Sequence, residues 1–147
     1  MGPKTNTRIP ISLAPTTRYQ FGKKDKLKSR KAIQELFAEG KYMNQFPLRA
    51  VYVLKHSDFQ LQAGVSVSSR FFKKAVDRNR AKRVVREAYR LQKNNLEEIL
   101  NQHNQALSIF FIYNSNVKPD FEKVYESCGT IIKQLITISN AAHQKNS

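Results

Sequence analysis

The longest helical pattern in the chain follows Lys73. Its apolar residues recur at the spacing of three and four residues that is typical of an α-helix. These residues are Ala81, Val84, Val85, Ala88 and Leu91. The pattern predicts a helix that begins near Ala75 and runs past Leu91, with Asp77 favourably placed in its first turn. Three more apolar residues predict further helix or a short separate turn: Leu96, Ile99 and Leu100.

Two shorter segments also have helical periodicity. The first spans Leu27 to Glu39, where Ser29 can act as the N-cap and Gly40 suits the C-terminal stop. The second is a final helix that Asp120 caps, followed from Asn140 by a polar tail that is expected to fray. The apolar stripe of this final helix consists of Phe121, Val124, Cys128, Ile131, Ile132 and Leu135.

Three segments have the patterns of β-strands. Leu48–Lys55 is rich in β-branched and aromatic residues, and Leu61–Ser68 alternates strictly between apolar and small or polar residues. The connection between them has hairpin length, so these two strands are predicted to be antiparallel neighbours. Leu107–Tyr113 is almost entirely apolar, which predicts a central strand.

The predicted order is helix, strand, strand, a third strand or extended segment, helix, strand, helix (αβββαβα). Helices on one side of a small sheet would make an α+β fold, a two-layer α-β sandwich. We expect one α-β sandwich domain over residues 22–138, a flexible basic tail over residues 1–21 and a polar tail over residues 139–147. One domain is also what a chain of 147 residues favours.

The charge balance restricts the partners. The formal net charge is +15 and the sequence pI is about 10.2, values that favour a nucleic acid or an anionic membrane surface. Apolar runs are too short to span a bilayer, and the N-terminal residues lack the apolar core of a secretory signal. We therefore expect a cytoplasmic protein. We also expect neither a membrane partner nor a small-molecule substrate.

The predicted central helix carries cations on the side opposite its apolar residues. Lys82, Arg86 and Arg90 follow each other at a spacing of four residues, which destabilises a helix unless a partner neutralises them. Arginine predominates over lysine, and its forked guanidinium suits phosphate oxygens. This pattern predicts a polyanion-binding face rather than an ordinary solvated face.

Catalytic chemistry is not visible in the sequence. His56, His103 and His143 are assigned to loops or tails without metal-ligand spacing, and the acidic residues are dispersed. No glycine-rich phosphate loop or nucleophile elbow is present. Cys128 is the only cysteine and is predicted to be a small buried hydrophobe. The residues therefore favour a binding protein over an enzyme with its own catalytic site.

At Arg78–Arg80, which reads RNR and continues as AKRVVR, the sequence resembles the protein subunit of bacterial ribonuclease P. The preceding GVSVS strand and the first helix, which ends in LFxxG, also match the family pattern. The resemblance extends from about Phe21 to Leu135. This chain departs from the family pattern in the turn before the basic helix, which lacks the usual glycine and is one residue longer. The backbone geometry where the crossover begins is therefore expected to differ from that of the family.

The resemblance implies an α-β sandwich with a left-handed βαβ crossover. It also implies that the chain is part of an endoribonuclease whose RNA subunit, with Mg²⁺, removes the 5′ leader of precursor tRNA. The protein alone would hold no cofactor and no metal. The implied partners are the ribonuclease P RNA and precursor tRNA.

The family's functional residues carry over by position. The residues that would face the catalytic RNA are Arg70, Lys73, Lys74, Arg78, Asn79, Arg80, Lys82, Arg83, Arg86 and Arg90. The residues that would line the leader-binding cleft are Ile33, Phe37, Tyr52, Ser66 and Ser68.

The residues leave other functions open. The alternative is a structural RNA-binding protein of ribosomal type, which the basic helix alone does not exclude. A stand-alone nuclease is disfavoured because no acidic or histidine cluster is visible. A DNA-binding helix-turn-helix is disfavoured because no partner helix with a short turn precedes Ala75.

Overall fold

The computed structural model describes residues 30–68 and 70–146. Its elements are α1 (Arg30–Glu39), β1 (Lys41–Gln45), β2 (Leu48–His56), β3 (Gln60–Val67), α2 (Ala75–His103), β4 (Gln105–Tyr113) and α3 (Phe121–Asn146). The α+β class and the order αβββαβα are confirmed. The predicted N-terminal tail, the start of the first helix at Leu27 and the Ser29 cap lie outside the described residues.

The additional strand or extended segment that was predicted is β1, and it precedes the two strands with clear sequence patterns, β2 and β3. β1 reads KYMNQ, and it is mostly exposed at the edge of the sheet, where it pairs antiparallel with β2. An edge strand of this kind needs few apolar residues, so its sequence shows no clear alternation. The extended segment was expected after the alternating strand, and the structure places it directly after α1 instead.

The sheet has the order β1-β2-β4-β3. β4 is antiparallel to β2 and parallel to β3, so the prediction that Leu107–Tyr113 is central is confirmed. The prediction that β2 and β3 are neighbours is wrong, because β4 lies between them. A strand that is apolar on both faces is most stable with a neighbour on each side and a helix over each face.

The helices lie on both faces of this sheet. α2 and α3 cover one face and form the main core with residues such as Leu48, Ala50 and Tyr52 of β2. The short α1 packs on the other face, where Leu36 contacts Val51 and Phe110. The expected sandwich with its helices on one side therefore describes α2 and α3 but not α1.

α2 is one continuous helix of 29 residues. Leu96 and Leu100 are fully buried and extend its apolar face, which confirms further helix over a separate turn. The helix ends at Asn104, whose left-handed φ of 53° lets its backbone N–H donate to the carbonyls of Leu100 and Asn101. α2 connects the parallel strands β3 and β4, and the left-handed crossover implied by the resemblance stays a prediction.

α3 begins as predicted, because the Asp120 carboxylate accepts a hydrogen bond from the backbone N–H of Glu122 (3.2 Å). Cys128 lies in the buried stripe, and burial raises the pKa of its thiol to about 12. Phe121 is the exception in this stripe, since it is 39% exposed. The helix does not end near Asn140 but continues to Asn146.

Candidate nucleic-acid interface

The cationic face of α2 is anchored by its opposite side. Ala81, Val85 and Ala88 are fully buried against the sheet and α3. Four residues of the predicted RNA-facing set are exposed on the outer surface: Asn79, Arg80, Arg83 and Arg86. Lys82 and Arg90 are half-buried at the margin of this surface.

Arg78 has a different environment from the other arginines of α2. One of its guanidinium nitrogens, Nη1, donates to the backbone carbonyls of Phe72 (2.9 Å) and Lys73 (2.7 Å). Both carbonyls belong to the turn between β3 and α2. Arg78 therefore holds this turn against the first turns of the helix, a role that its sequence motif does not indicate.

Arg90 is paired within its own helix. Its guanidinium donates two hydrogen bonds to the Glu87 carboxylate, at 3.0 and 2.6 Å. The hydrogen bond from Arg90 is the main cause that holds the pKa of Glu87 below its usual value. This forked ion pair relieves part of the repulsion that the sequence predicts between the cations of α2. Because its charge is partly neutralised by Glu87, Arg90 attracts an anionic partner less strongly than Arg83 or Arg86.

Three further cations precede α2. Arg70, Lys73 and Lys74 are all exposed on the turn, and the guanidinium of Arg70 lies 5.3 Å from the centre of the Phe71 ring. Lys74 occupies the N-cap position without a side-chain cap. The positive end of the helix dipole therefore adds to three side-chain charges at this point.

On the opposite face of the sheet, α1 lies over β2 and β4 and leaves the polar side of β3 half-exposed beside it, and this surface is the predicted cleft. Phe37 packs edge-on against Phe110 of β4, with ring centres 5.4 Å apart, and Ile33 packs in the same apolar cluster. Both side chains are half-buried, so each has a part that solvent can reach. α1 lies mainly over the central strands β2 and β4.

The polar side of β3 is the second part of the predicted cleft. Its alternate residues Leu61, Ala63 and Val67 are buried in the main core, so Gln62 and Ser66 point to the α1 face and remain half-exposed. Ser68 lies just beyond the strand. Its hydroxyl accepts a long hydrogen bond of 3.4 Å from the Arg70 backbone N–H, which places Ser68 in the turn at the end of the cleft.

The assignment of Tyr52 to this cleft is wrong. Tyr52 is 8% exposed and belongs to the core under α2 and α3, where burial raises the pKa of its hydroxyl. Because side chains alternate along a strand, the positions that face α1 are the adjacent Val51 and Val53. An offset of one residue in the alignment moves a side chain to the other face of the sheet.

Sequence reasoning missed the floor of the cleft. Phe110 and Ile112 pack with α1 from the central strand β4. A strand that is apolar at nearly every position has no alternation to show which residues face which helix. Gln62 lies on the same face as Ser66, as the strict alternation of Leu61–Ser68 predicts.

The histidines are not in loops. His103 ends α2, His143 lies in α3, and their rings stack with centres 3.9 Å apart. His56 is the last residue of β2. Within residues 30–68 and 70–146, no three histidine, cysteine or acidic side chains come together as a metal-binding group. The same part of the chain contains no helix that could cross a bilayer.

The fold and these two surfaces define a small basic α+β protein with a cationic helix on one side of the sheet and a half-open cleft on the other. The family model described as Ribonuclease P matches residues 21–136. The chain belongs to the ribonuclease P protein family.

Relatives with similar sequences agree with this assignment. A ribonuclease P protein component from Porphyromonas gingivalis is 40% identical, over 76% of this chain and 82% of its own length. One from Clostridium botulinum is 30% identical, over 76% of this chain and 95% of its own.

Two solved structures share the fold. The RNase P protein from Thermotoga maritima has a TM-score of 0.59 at 24% identity, covering 74% of this chain and 96% of its own. The Staphylococcus aureus RNase P protein has a TM-score of 0.57 at 22% identity, covering 76% and 95%.

Proposed function

We propose that this chain is the protein subunit of a ribonucleoprotein ribonuclease P that removes the 5′ leader of precursor tRNA. α2 and the preceding turn bind the catalytic RNA, and the cleft between α1 and β3 binds the single-stranded leader. The chemistry belongs to the RNA and its Mg²⁺ ions, and the complex acts in the cytoplasm.

The observation that carries this proposal is the separation of two unlike surfaces by the sheet. One is densely cationic, with exposed Arg80, Arg83 and Arg86. The other has little charge, and it offers a half-exposed Phe37 beside the polar side of β3. The first suits a folded RNA held through its phosphates, and the second suits an unpaired strand whose bases stack on an aromatic ring.

The metal ions are assigned to the RNA for a chemical reason. Mg²⁺ is bound by oxygen ligands, of which carboxylates and phosphates are the strongest. Among the described residues, no three acidic, histidine or cysteine side chains form a group that could hold a metal ion, whereas a folded RNA is rich in phosphate oxygens. In this proposal the protein positions the two RNAs and offsets their mutual repulsion.

Cleavage assays test the assignment to ribonuclease P. Precursor tRNA is incubated at low Mg²⁺ concentration with a bacterial ribonuclease P RNA, with and without the protein, and with the protein alone. We expect stimulation only when both RNA and protein are present. Cleavage by the protein alone would contradict the placement of the chemistry in RNA, and tight binding without stimulation would favour a structural RNA-binding protein.

Matched variants test the two surfaces. Arg83→Ala should weaken binding to the catalytic RNA and reduce the slope of log K against log salt by about 1, because one phosphate contact is lost. Lys133→Ala removes an exposed cation from α3 and is the control, for which we expect no change in slope.

Phe37→Ala should lower affinity for leader-bearing tRNA by roughly 1–3 kcal/mol and leave mature tRNA unaffected. Phe59→Ala removes an exposed aromatic side chain (37%) from the connection between β2 and β3 and serves as its control. If every variant weakens both RNAs in proportion, the division into two surfaces is wrong.

A further inference from the structure

Exposed apolar side chains are concentrated at the end of the molecule where α2 and α3 begin. α2 starts after β3 and ends before the parallel strand β4, so α3, which follows β4, starts at the same end as α2. The stacked rings of His103 and His143 mark the opposite end. Among the described residues, four large apolar side chains are exposed around the start of α3, and we call them the apolar end patch: Phe46, Val117, Phe121 and Tyr125.

The side chains of this patch project from backbone that is held in place. The Ser127 hydroxyl donates to the carbonyl of Phe46 (2.8 Å), and the Tyr113 hydroxyl donates to the carbonyl of Val117 (2.7 Å). Phe46 is nevertheless 78% exposed and Val117 is 63% exposed. Rigidly presented apolar surface of this kind is typical of an interaction site.

Two aromatic side chains of the patch lie on α3. The rings of Phe121 and Tyr125 are 5.5 Å apart on successive turns, and each is more than a third exposed. The backbone carbonyl of Tyr125 accepts a hydrogen bond from the Gln92 side chain of α2 (3.0 Å). The pair therefore sits where α3 packs against the basic helix.

The cationic turn before α2 adjoins this patch. The ring of Phe72 lies 6.0 Å from that of Tyr113, whose hydroxyl reaches the Val117 carbonyl. The side chain of Tyr113 thus contacts both the patch, at Val117, and the turn that carries exposed Lys73 and Lys74. Aromatic rings beside cations are the combination that binds unpaired nucleotides, because rings stack on bases while cations bind phosphates.

The distribution of acidic groups gives the bound strand an orientation. Four carboxylates lie at this end of the molecule: Asp77, Asp120, Glu122 and Glu126. Asp77 lies in the first turn of α2, and the other three are at the start of α3, where the Asp120 carboxylate caps the helix. Phosphates are therefore favoured on the side of the turn, and uncharged bases are favoured over the aromatic pair of α3.

We infer that the apolar end patch is a stacking platform for unpaired nucleotides of the catalytic RNA. The inference rests on the proposed function and extends the RNA-binding surface from the basic helix onto α3 and the turn between β1 and β2. It assigns an RNA contact to Phe46 and Tyr125, which lie outside the basic motif. Continuity with the cationic turn favours the catalytic RNA over the leader, whose cleft lies on the other face of the sheet.

Binding of the full-length protein to ribonuclease P RNA at several salt concentrations tests this inference. Phe46→Ala and Tyr125→Ala should each lower affinity about tenfold without changing the salt slope, because stacking releases no counterions. Lys73→Ala should instead reduce the slope by about 1. Tyr125→Phe keeps the ring and should bind like the unaltered protein, and Phe59→Ala is the control for a general loss of aromatic surface.

Three results would overturn the inference while leaving the proposed function intact, provided that the unaltered protein binds the RNA. The first is unchanged affinity of both alanine variants. The second is a loss confined to leader-bearing tRNA. The third is that the alanine variants keep their RNA affinity but sediment as monomers where the unaltered protein sediments as a dimer. That result would assign the patch to contact with a second copy of the chain. If the unaltered protein does not bind the RNA, the proposed function itself fails.

Discussion

Replacement of Arg78 by alanine separates a structural role from an RNA contact. The Nη1 group donates to two carbonyls of the turn before α2, at 2.9 and 2.7 Å. A hydrogen bond from a charged donor contributes about 1.5–3 kcal/mol. The two bonds here share one nitrogen, and the carbonyl of exposed Lys73 can be hydrated after the change. We therefore expect a net loss of about 2 kcal/mol in the free energy of unfolding.

Unfolding of the isolated protein, without RNA, measures this loss. For a domain of this size, about 2 kcal/mol lowers the Tm by roughly 5–10 °C. Arg83→Ala is the matched control, because it removes an exposed arginine from the same helix and should change stability by less than about 0.5 kcal/mol. Hydrogen exchange should also increase at the amides of residues 71–74 in the Arg78 variant.

Equal stability of the Arg78→Ala and Arg83→Ala proteins would refute the reasoning. It would mean that the turn is held by other contacts and that Arg78 is available for RNA, as the sequence motif implied. Arg78→Lys provides a further check. Lysine keeps the charge but does not reproduce the position of the arginine Nη1 donor, so it should retain RNA affinity at low salt better than it retains stability. The opposite order would indicate that phosphate contact is the main role of Arg78.

Three other changes test the packing around the two surfaces. Gly40→Ala would place a Cβ 2.5 Å from a methyl carbon of Val51, so we expect a loss of stability and weaker leader binding, measured by thermal unfolding and tRNA binding. Gln105→Ala removes the amide that donates to the Ser139 carbonyl and accepts from its hydroxyl; a loss of about 1–3 kcal/mol and faster hydrogen exchange in residues 139–146 should follow. Unaffected exchange there would show that α3 does not need this anchor. Burial raises the pKa of Cys128 from 9.0 to about 12. The protonated thiol therefore stabilises the fold fully below about pH 9, and this contribution is lost as the pH rises towards 12. Reaction of Cys128 with a thiol reagent at pH 8 should require unfolding.

Local periodicity was sufficient for most of the elements. The spacing of Ala81, Val85 and Ala88 predicts α2, and the alternation of Leu61–Ser68 predicts β3 and the face that it buries. The pattern also predicts the cationic side of α2, because the positions left over by the apolar stripe must face solvent. These properties depend on residues within a few positions of each other, which the sequence alone contains.

The order of the strands depended on tertiary structure. β4 separates β2 from β3 because its apolar residues on both faces are buried only in a central position, and a short connection between β2 and β3 cannot reveal a strand that comes much later in the chain. The face on which Tyr52 lies depends on a register of one residue, which α1 and α2 settle together by packing on opposite sides of the sheet.

The roles of single polar side chains also depended on the fold. Arg78 and Arg83 belong to one motif and have the same chemistry, yet the first holds the turn before α2 and the second is exposed. The sequence by itself determined the type of each main element, the cationic helix and the family. Only the tertiary structure decided which strands meet, which side chains face each surface and which cations are already engaged, because these follow from contacts between residues that are far apart in the chain.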